Sequence, residues 1–220
     1  MTAWSVPVAE LRRLAGYNIW IVVKADLTAA LGLPEGPERT AAVAQWVQGL
    51  FETRPPVLAG GAAVELYTAG AYTTGDLDFI GDVTDKAAES LREAGFEREG
   101  RHWIHREAEL FVEFPVSAVQ AHERTAIVKV GRFSVLTLSP EDMIVDRLAA
   151  WQFSSSTTDG ASALLIWKAQ EKVLNRRRLM ALADVRDVNK GLARLLAFAR
   201  VNRGRKLSSM DLETWASEAP

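Results

Sequence analysis

The chain has 220 residues, 48% hydrophobic and 25% charged, a balance that excludes an intrinsically disordered polypeptide. It has no cysteine, which excludes disulfides and thiolate zinc sites. The net charge is only −2 but unevenly spread: from Lys168 to Lys206 there are twelve Lys/Arg against three Asp/Glu. That asymmetry fits an anionic partner for the C-terminal region, or a solvated helix face balancing an acidic body.

Residues 5–33 are mostly helix-compatible, with Val8, Leu11, Leu14 and Ala15 at helical spacing. The run of residues 19–23 fits either a turn of buried helix or a strand. No apolar run reaches membrane-spanning length, and the N-terminus lacks a signal-peptide pattern, so the expected location is the cytoplasm. A loop at residues 33–37 leads to a helix over 38–52, with Ala42, Val43, Trp46, Val47 and Leu50 on one stripe. Arg54-Pro55-Pro56 stops it and launches a first strand at Val57.

A helix over residues 62–68 follows Gly60-Gly61, with Gly70 as its C-terminal cap, and then a strand at 77–80. Thr84-Asp85 opens another helix, closed by Gly95. Residues 96–106 form a hairpin around Glu99-Gly100. Residues 110–114 form a strand ended by Pro115, and 126–138 a hairpin turning at Gly131-Arg132. Ser139-Pro140-Glu141-Asp142 is a helix start, with serine as the cap and proline at the first position, for a helix running to about Trp151. Residues 154–160 read as a polar linker, 161–183 and 185–201 as helices, and the segment beyond Gly204 as a fraying tail. This divides the chain into N-terminal helices (1–54), an α/β core (55–153) and a C-terminal helical region (154–220).

The stretch of residues 57–79, VLAGGAAVELYTAGAYTTGDLDF, carries the chemistry. On an extended strand Asp76 and Asp78 project to one face. Two carboxylates there repel unless a cation joins them, and a hard divalent ion such as Mg2+ suits oxygen ligands. Paired glycines let backbone approach a bulky anion such as a triphosphate. Glu113, flanked by Val112 and Phe114 in an apolar strand, is costly to bury unless ligated or paired. Glu109 is its rival, at the strand entrance. Read singly, a Gly-Gly can be a plain turn and an Asp-x-Asp a turn element without a ligand.

In this order (apolar strand, Gly60-Gly61, a fourteen-residue spacer, Asp76-Leu77-Asp78, a later acidic strand) the sequence resembles the nucleotidyltransferase superfamily of the DNA polymerase β type. The wording is most similar to its small bacterial abortive-infection and toxin–antitoxin branch. The resemblance covers about residues 55–150 and implies an α/β (α+β) fold built on a small mixed sheet. It implies a Mg2+-dependent transfer of a nucleoside monophosphate from an NTP such as ATP to an acceptor, with two ions held by Asp76, Asp78 and Glu113. Glu113 would also help to activate the acceptor hydroxyl. Gly60 and Gly61 would hold phosphate oxygens, Thr73 and Thr74 would orient phosphates or the metal shell, and Arg147 would touch the phosphates or the acceptor.

Arg147 stands where that branch commonly has lysine, and its competing reading is a solvated helix face with an internal salt bridge. Arg176, Arg177 and Arg178 are the candidate nucleic-acid contacts, in keeping with an RNA or tRNA acceptor. In this branch the activity can be that of a toxin neutralised by an antitoxin protein. The alternatives are a small-molecule, antibiotic-type nucleotidyltransferase and a non-catalytic interaction protein on the same scaffold. His102 and His105 read as surface or hairpin histidines, and the tryptophans mostly as core.

Overall fold

The computed structural model describes residues 26–218. The helix expected over 5–33 lies outside them except for its end, which forms α1 (Leu27–Leu31), and the run at 19–23 lies wholly outside. Then come α2 (Pro37–Gly49), β1 (Val57–Ala59), α3 (Gly60–Tyr67), β2 (Asp76–Ile80), α4 (Asp85–Glu93), β3 (Glu97–Glu99), β4 (His102–His105), β5 (Leu110–Val116), β6 (Thr125–Val130) and β7 (Phe133–Leu138). Five helices close the chain: α5 (Pro140–Ser154), α6 (Thr157–Gln170), α7 (Arg176–Val185), α8 (Asn189–Val201) and α9 (Ser209–Ser217). No helix among the described residues is long and apolar enough to cross a membrane.

The strands form one mixed sheet of order β3-β4-β5-β2-β1-β7-β6. β1 runs antiparallel to β2 and parallel to β7, and β2 runs parallel to β5. The α+β class expected from the sequence is therefore the observed one. On one face of β2 and β5, Leu77, Phe79 and Val112 are buried, and Phe79 stacks on Phe114 at 5.7 Å between ring centres. Strand alternation sends Asp76, Asp78 and Glu113 to the opposite face. The sequence period of two is thus enough to separate the core from the candidate chemistry.

Helix α2 is fastened to β7 by two buried amides. Gln48 Nε2 donates to the carbonyls of Leu136 (2.7 Å) and Pro56 (2.9 Å), while its Oε1 accepts from the Leu136 N–H. Gln45 Oε1 accepts from the Ser134 N–H. Because β1 is short and meets β7 at a single register pair, Gln48 satisfies backbone groups that a longer partner strand would have taken.

Several boundaries depart from the sequence expectation. β5 continues through Pro115 to Val116. The β2–β5 ladder shifts register between Asp78 and Ile80, so the proline falls at an irregularity where no ladder N–H is required. The stretch 154–160 is not a linker: α5 extends through Ser154, Ser156 caps α6, and Gly160 lies against the Trp151 ring, where a Cβ would come within 2.8 Å. The helix expected over 161–183 is two helices, with Asn175 accepting from the Arg178 N–H to start α7. The segment beyond Gly204 does not fray. A reciprocal cap between Ser208 and Asp211 begins α9, and Trp215 packs on Trp151 at 4.6 Å while Trp151 Nε1 donates to the Ala216 carbonyl.

Candidate active site

The turn from β1 into α3 and the start of β2 meet at one end of the sheet. Gly60 adopts φ +60°, and a Cβ there would lie 1.9 Å from Asp78 Oδ2. Only glycine allows this close approach at that backbone angle. Gly61 adjoins Thr74, whose Oγ1 accepts from the Asp76 N–H at 3.4 Å. The glycine turn into α3 and the threonine loop into β2 therefore lie side by side at one end of the sheet.

Across the sheet, Ala59 pairs with Asp78, Asp78 with Glu113, and Glu113 with His102, giving one straight row over β1, β2, β5 and β4. Asp76 lies one pleat along from Asp78 on the same face, opposite Phe111. The three predicted acids are thus brought together. Burial, followed by the negative charges of Glu113 and Asp76, pushes the Asp78 carboxyl above its ordinary value, and Arg147 and Arg101 partly offset them. Asp78 is thus the acid of the row that burial and like charge together favour in its protonated form.

Two residues of this site escaped sequence reasoning. Arg101 Nε lies 2.6 Å from Glu113 Oε1, and His102 Nδ1 lies 3.3 Å from Glu113 Oε2. The available signal was strand register: an Arg-His pair just after the Glu99-Gly100 turn returns antiparallel beside Glu113. His105, by contrast, accepts from the Ala108 N–H and packs edge-on against Phe96, as expected of a hairpin histidine. Glu113 is consequently turned toward Arg101 and His102. Among the described residues no three His, Asp or Glu side chains form a preassembled metal cage.

Arg147 on α5 is held by Asp159 of α6 at 2.5 Å and by Asp146 at 3.7 Å, and its buried Nε–H has no hydrogen-bond partner. The internal salt bridge and the proximity to Asp78 therefore coexist. The three C-terminal arginines do not act together. Arg178 turns inward to Asp142 at 2.7 Å and to the His122 carbonyl at 3.1 Å. Arg176 bonds Glu171 and lies 5.1 Å over the Trp167 ring, and Arg177 is exposed. Successive arginines cannot share one face of a helix, and Arg178 is the one turned into the fold while Arg177 is exposed.

Beside the carboxylate row, a cavity of about 460 Å3 opens between α2, α3 and the starts of β2 and β5. Thr73, Thr74 and Asp76 form one wall and Glu109 another. Glu65 of α3, only 2% exposed, lines it and accepts from the Thr40 hydroxyl at 3.1 Å. The sequence reading missed Glu65, because one acid in an otherwise apolar helix reads as a solvent-facing position.

The chain matches no protein-family model, no curated protein and no solved structure.

Proposed function

We propose that the protein is a Mg2+-dependent nucleotidyltransferase. The observation that carries this reading is the register pairing of Asp78 with Glu113, with Asp76 on the same face and Gly60 pressed against Asp78. The donor chemistry fits a hard divalent cation: three carboxylates share one face, and one of them, Asp78, is raised above its ordinary value by burial and then by the charges of the other two. Asp76, Asp78 and Glu113 would hold the ions. Bound ions would supply charge neutralisation and polarisation at phosphorus.

The protein's own contribution is to position and screen the reactants. Backbone N–H groups at the start of α3, freed by the absence of side chains at Gly60 and Gly61, would receive phosphate oxygens. Thr73 and Thr74 would orient the phosphate chain, and Arg147 would add positive charge beside Asp78. An acceptor hydroxyl oxygen bonds to the α-phosphorus of the NTP, the bond from that phosphorus to the pyrophosphate oxygen breaks, and pyrophosphate departs. The hydroxyl proton passes to a carboxylate of the row.

The test is transfer of labelled nucleotide from each of the four NTPs to cell RNA, protein and small-molecule fractions, with the Asp78→Asn protein alongside. Transfer by the native protein and a loss of at least about a hundredfold in the variant support the reading. Equal transfer by both proteins, or none by the native one with Mg2+ present, overturns it. The same incorporation, sorted by acceptor fraction, separates RNA from small-molecule acceptors. Growth arrest on expression that disappears in Asp78→Asn would assign a toxin role.

A further inference from the structure

We propose that Glu65 is a positioning residue: with Gly61, one turn before it on the same face of α3, it seats the threonine loop that leads into Asp76 against the glycine turn. This deepens the nucleotidyltransferase reading and rests on it. Glu65 is 2% exposed, and its helix neighbours Ala62, Ala63, Val64 and Leu66 are buried apolar residues. An acid in that setting carries a desolvation cost that its bonds must offset. Those bonds lead to the threonine loop.

The Glu65 carboxyl accepts from the Thr40 hydroxyl of α2 at 3.1 Å and from the Thr74 backbone N–H. Thr74 also lies on the same helix face one turn earlier, where a Cβ at Gly61 would come within 3.0 Å of the threonine Cβ and Oγ1. A gap for the side chain and a carboxyl for the backbone together make a seat for one residue. From that seat Thr74 Oγ1 accepts from the Asp76 N–H at 3.4 Å, which fixes where the first aspartate leaves the loop. Among the described residues no backbone–backbone bond holds Tyr72, Thr73 or Thr74. The loop therefore depends on side-chain acceptors, and Glu65 is the buried one. Helix α3 thus has two tasks in the proposed reaction. Its first residues would receive phosphate oxygens, and one turn later it holds the threonines that would face the same phosphates.

The experiment uses the full chain with Glu65→Gln, Glu65→Leu and Glu65→Ala. The glutamine variant keeps an acceptor oxygen for the Thr74 N–H, and its amide can donate to the Thr40 hydroxyl. The leucine variant fills the same space without either bond. The alanine variant leaves room for water, so a leucine protein that does not fold still leaves a test. Hydrogen–deuterium exchange over residues 71–76, without nucleotide or metal, reads the loop. Exchange is expected to be about tenfold or more faster in Glu65→Leu and Glu65→Ala, and within about twofold of native in Glu65→Gln. Labelled-nucleotide transfer with Mg2+ is expected to fall about tenfold or more in the first two and to stay within about twofold in the third. Urea midpoints are expected not to fall in step with transfer, a split that a merely structural clasp between α2 and α3 would not give. Native loop protection or undiminished transfer in both apolar variants, a glutamine variant as impaired as they are, or a transfer loss that tracks the midpoint overturns the proposal and leaves the nucleotidyltransferase reading standing. No transfer by the native protein overturns that reading, and with it the catalytic consequence drawn for Glu65.

Discussion

Asp78 and Glu113 are direct register partners on two parallel strands, and the cation closest to Glu113 is the Arg101 guanidinium at 2.6 Å. Arg101 also offsets, to a smaller degree than Arg147, the rise that burial and the neighbouring acids impose on the Asp78 carboxyl. A surface arginine at the tip of a hairpin is thus the ion-pair partner of Glu113 and, after Arg147, a lesser counter-charge for Asp78. Any divalent ion drawn to the row must displace it or share Glu113 with it.

That competition is measurable. Arg101→Ala is expected to tighten Mn2+ binding by about two- to fivefold, the modest factor that an exposed ion pair commands. Arg101→Lys should fall between the two, since lysine keeps the charge but not the planar fork. Isothermal titration with Mn2+ decides it. Equal or weaker metal binding in Arg101→Ala would show that the ion pair does not compete.

The Gly60 turn makes a second demand. With φ at +60° and Asp78 Oδ2 1.9 Å from where a Cβ would sit, Gly60→Ala strains the backbone and drives the carboxylate out of the row. The expected loss is about 1–3 kcal/mol of stability, with transfer activity falling further than the stability loss explains. Urea unfolding and the transfer assay, run on the same preparation, separate the two effects. A fully stable, fully active Gly60→Ala protein contradicts the close approach.

The parts of this site that were legible in the sequence are those set by local rules. Alternation through Asp76-Leu77-Asp78 and the Ser139-Pro140 helix start each follow from a few neighbouring residues and are in place, and the helix expected after Gly60-Gly61 is present but takes both glycines as its first two residues. What was not legible depends on distant register or on helix phase. His102 joins the row only because β4 returns against β5 in one particular pairing. Arg178 faces inward because the Asn175 cap sets the rotation of α7 against Asp142, whereas three successive arginines look alike in sequence. The helix at Ser209 had a local signal in Ser208 and Asp211. Its polar composition hid that signal, and its stability comes from Trp151, far away in the chain.

Glu65 predicts a pH dependence. Burial raises its carboxyl above the usual glutamate range, with the Thr40 hydroxyl and the Thr74 backbone pulling it partly back. The folded state therefore holds this proton more tightly than the unfolded chain does, and unfolding releases it. Its contribution is fully stabilising only in acid and is lost as pH rises from the ordinary glutamate value through the raised folded one. Glu65→Gln removes that slope. The variant should match the native protein near about pH 4 and gain on it toward about pH 7, as read from urea midpoints. A native slope that survives the substitution would assign the dependence to other groups.

Arg178 separates a structural from a nucleic-acid role. Its side chain is 11% exposed and its partner Asp142 only 3%, and Asp142 also accepts from Ser139 Oγ and from the Arg124 N–H. Removing the guanidinium leaves a buried carboxylate with its hydrogen bonds but without its counter-ion, a change that costs about 3–5 kcal/mol. Arg178→Ala should accordingly lower the unfolding midpoint sharply. Arg177→Ala, at an exposed neighbour on the same helix, should leave it within about 0.5 kcal/mol of the native value. If Arg178 instead served an RNA surface, its loss would weaken oligonucleotide binding with little change in stability. Denaturant unfolding of the two alanine variants, with oligonucleotide binding measured at low salt, tells these outcomes apart, and the Asp142 geometry predicts the first.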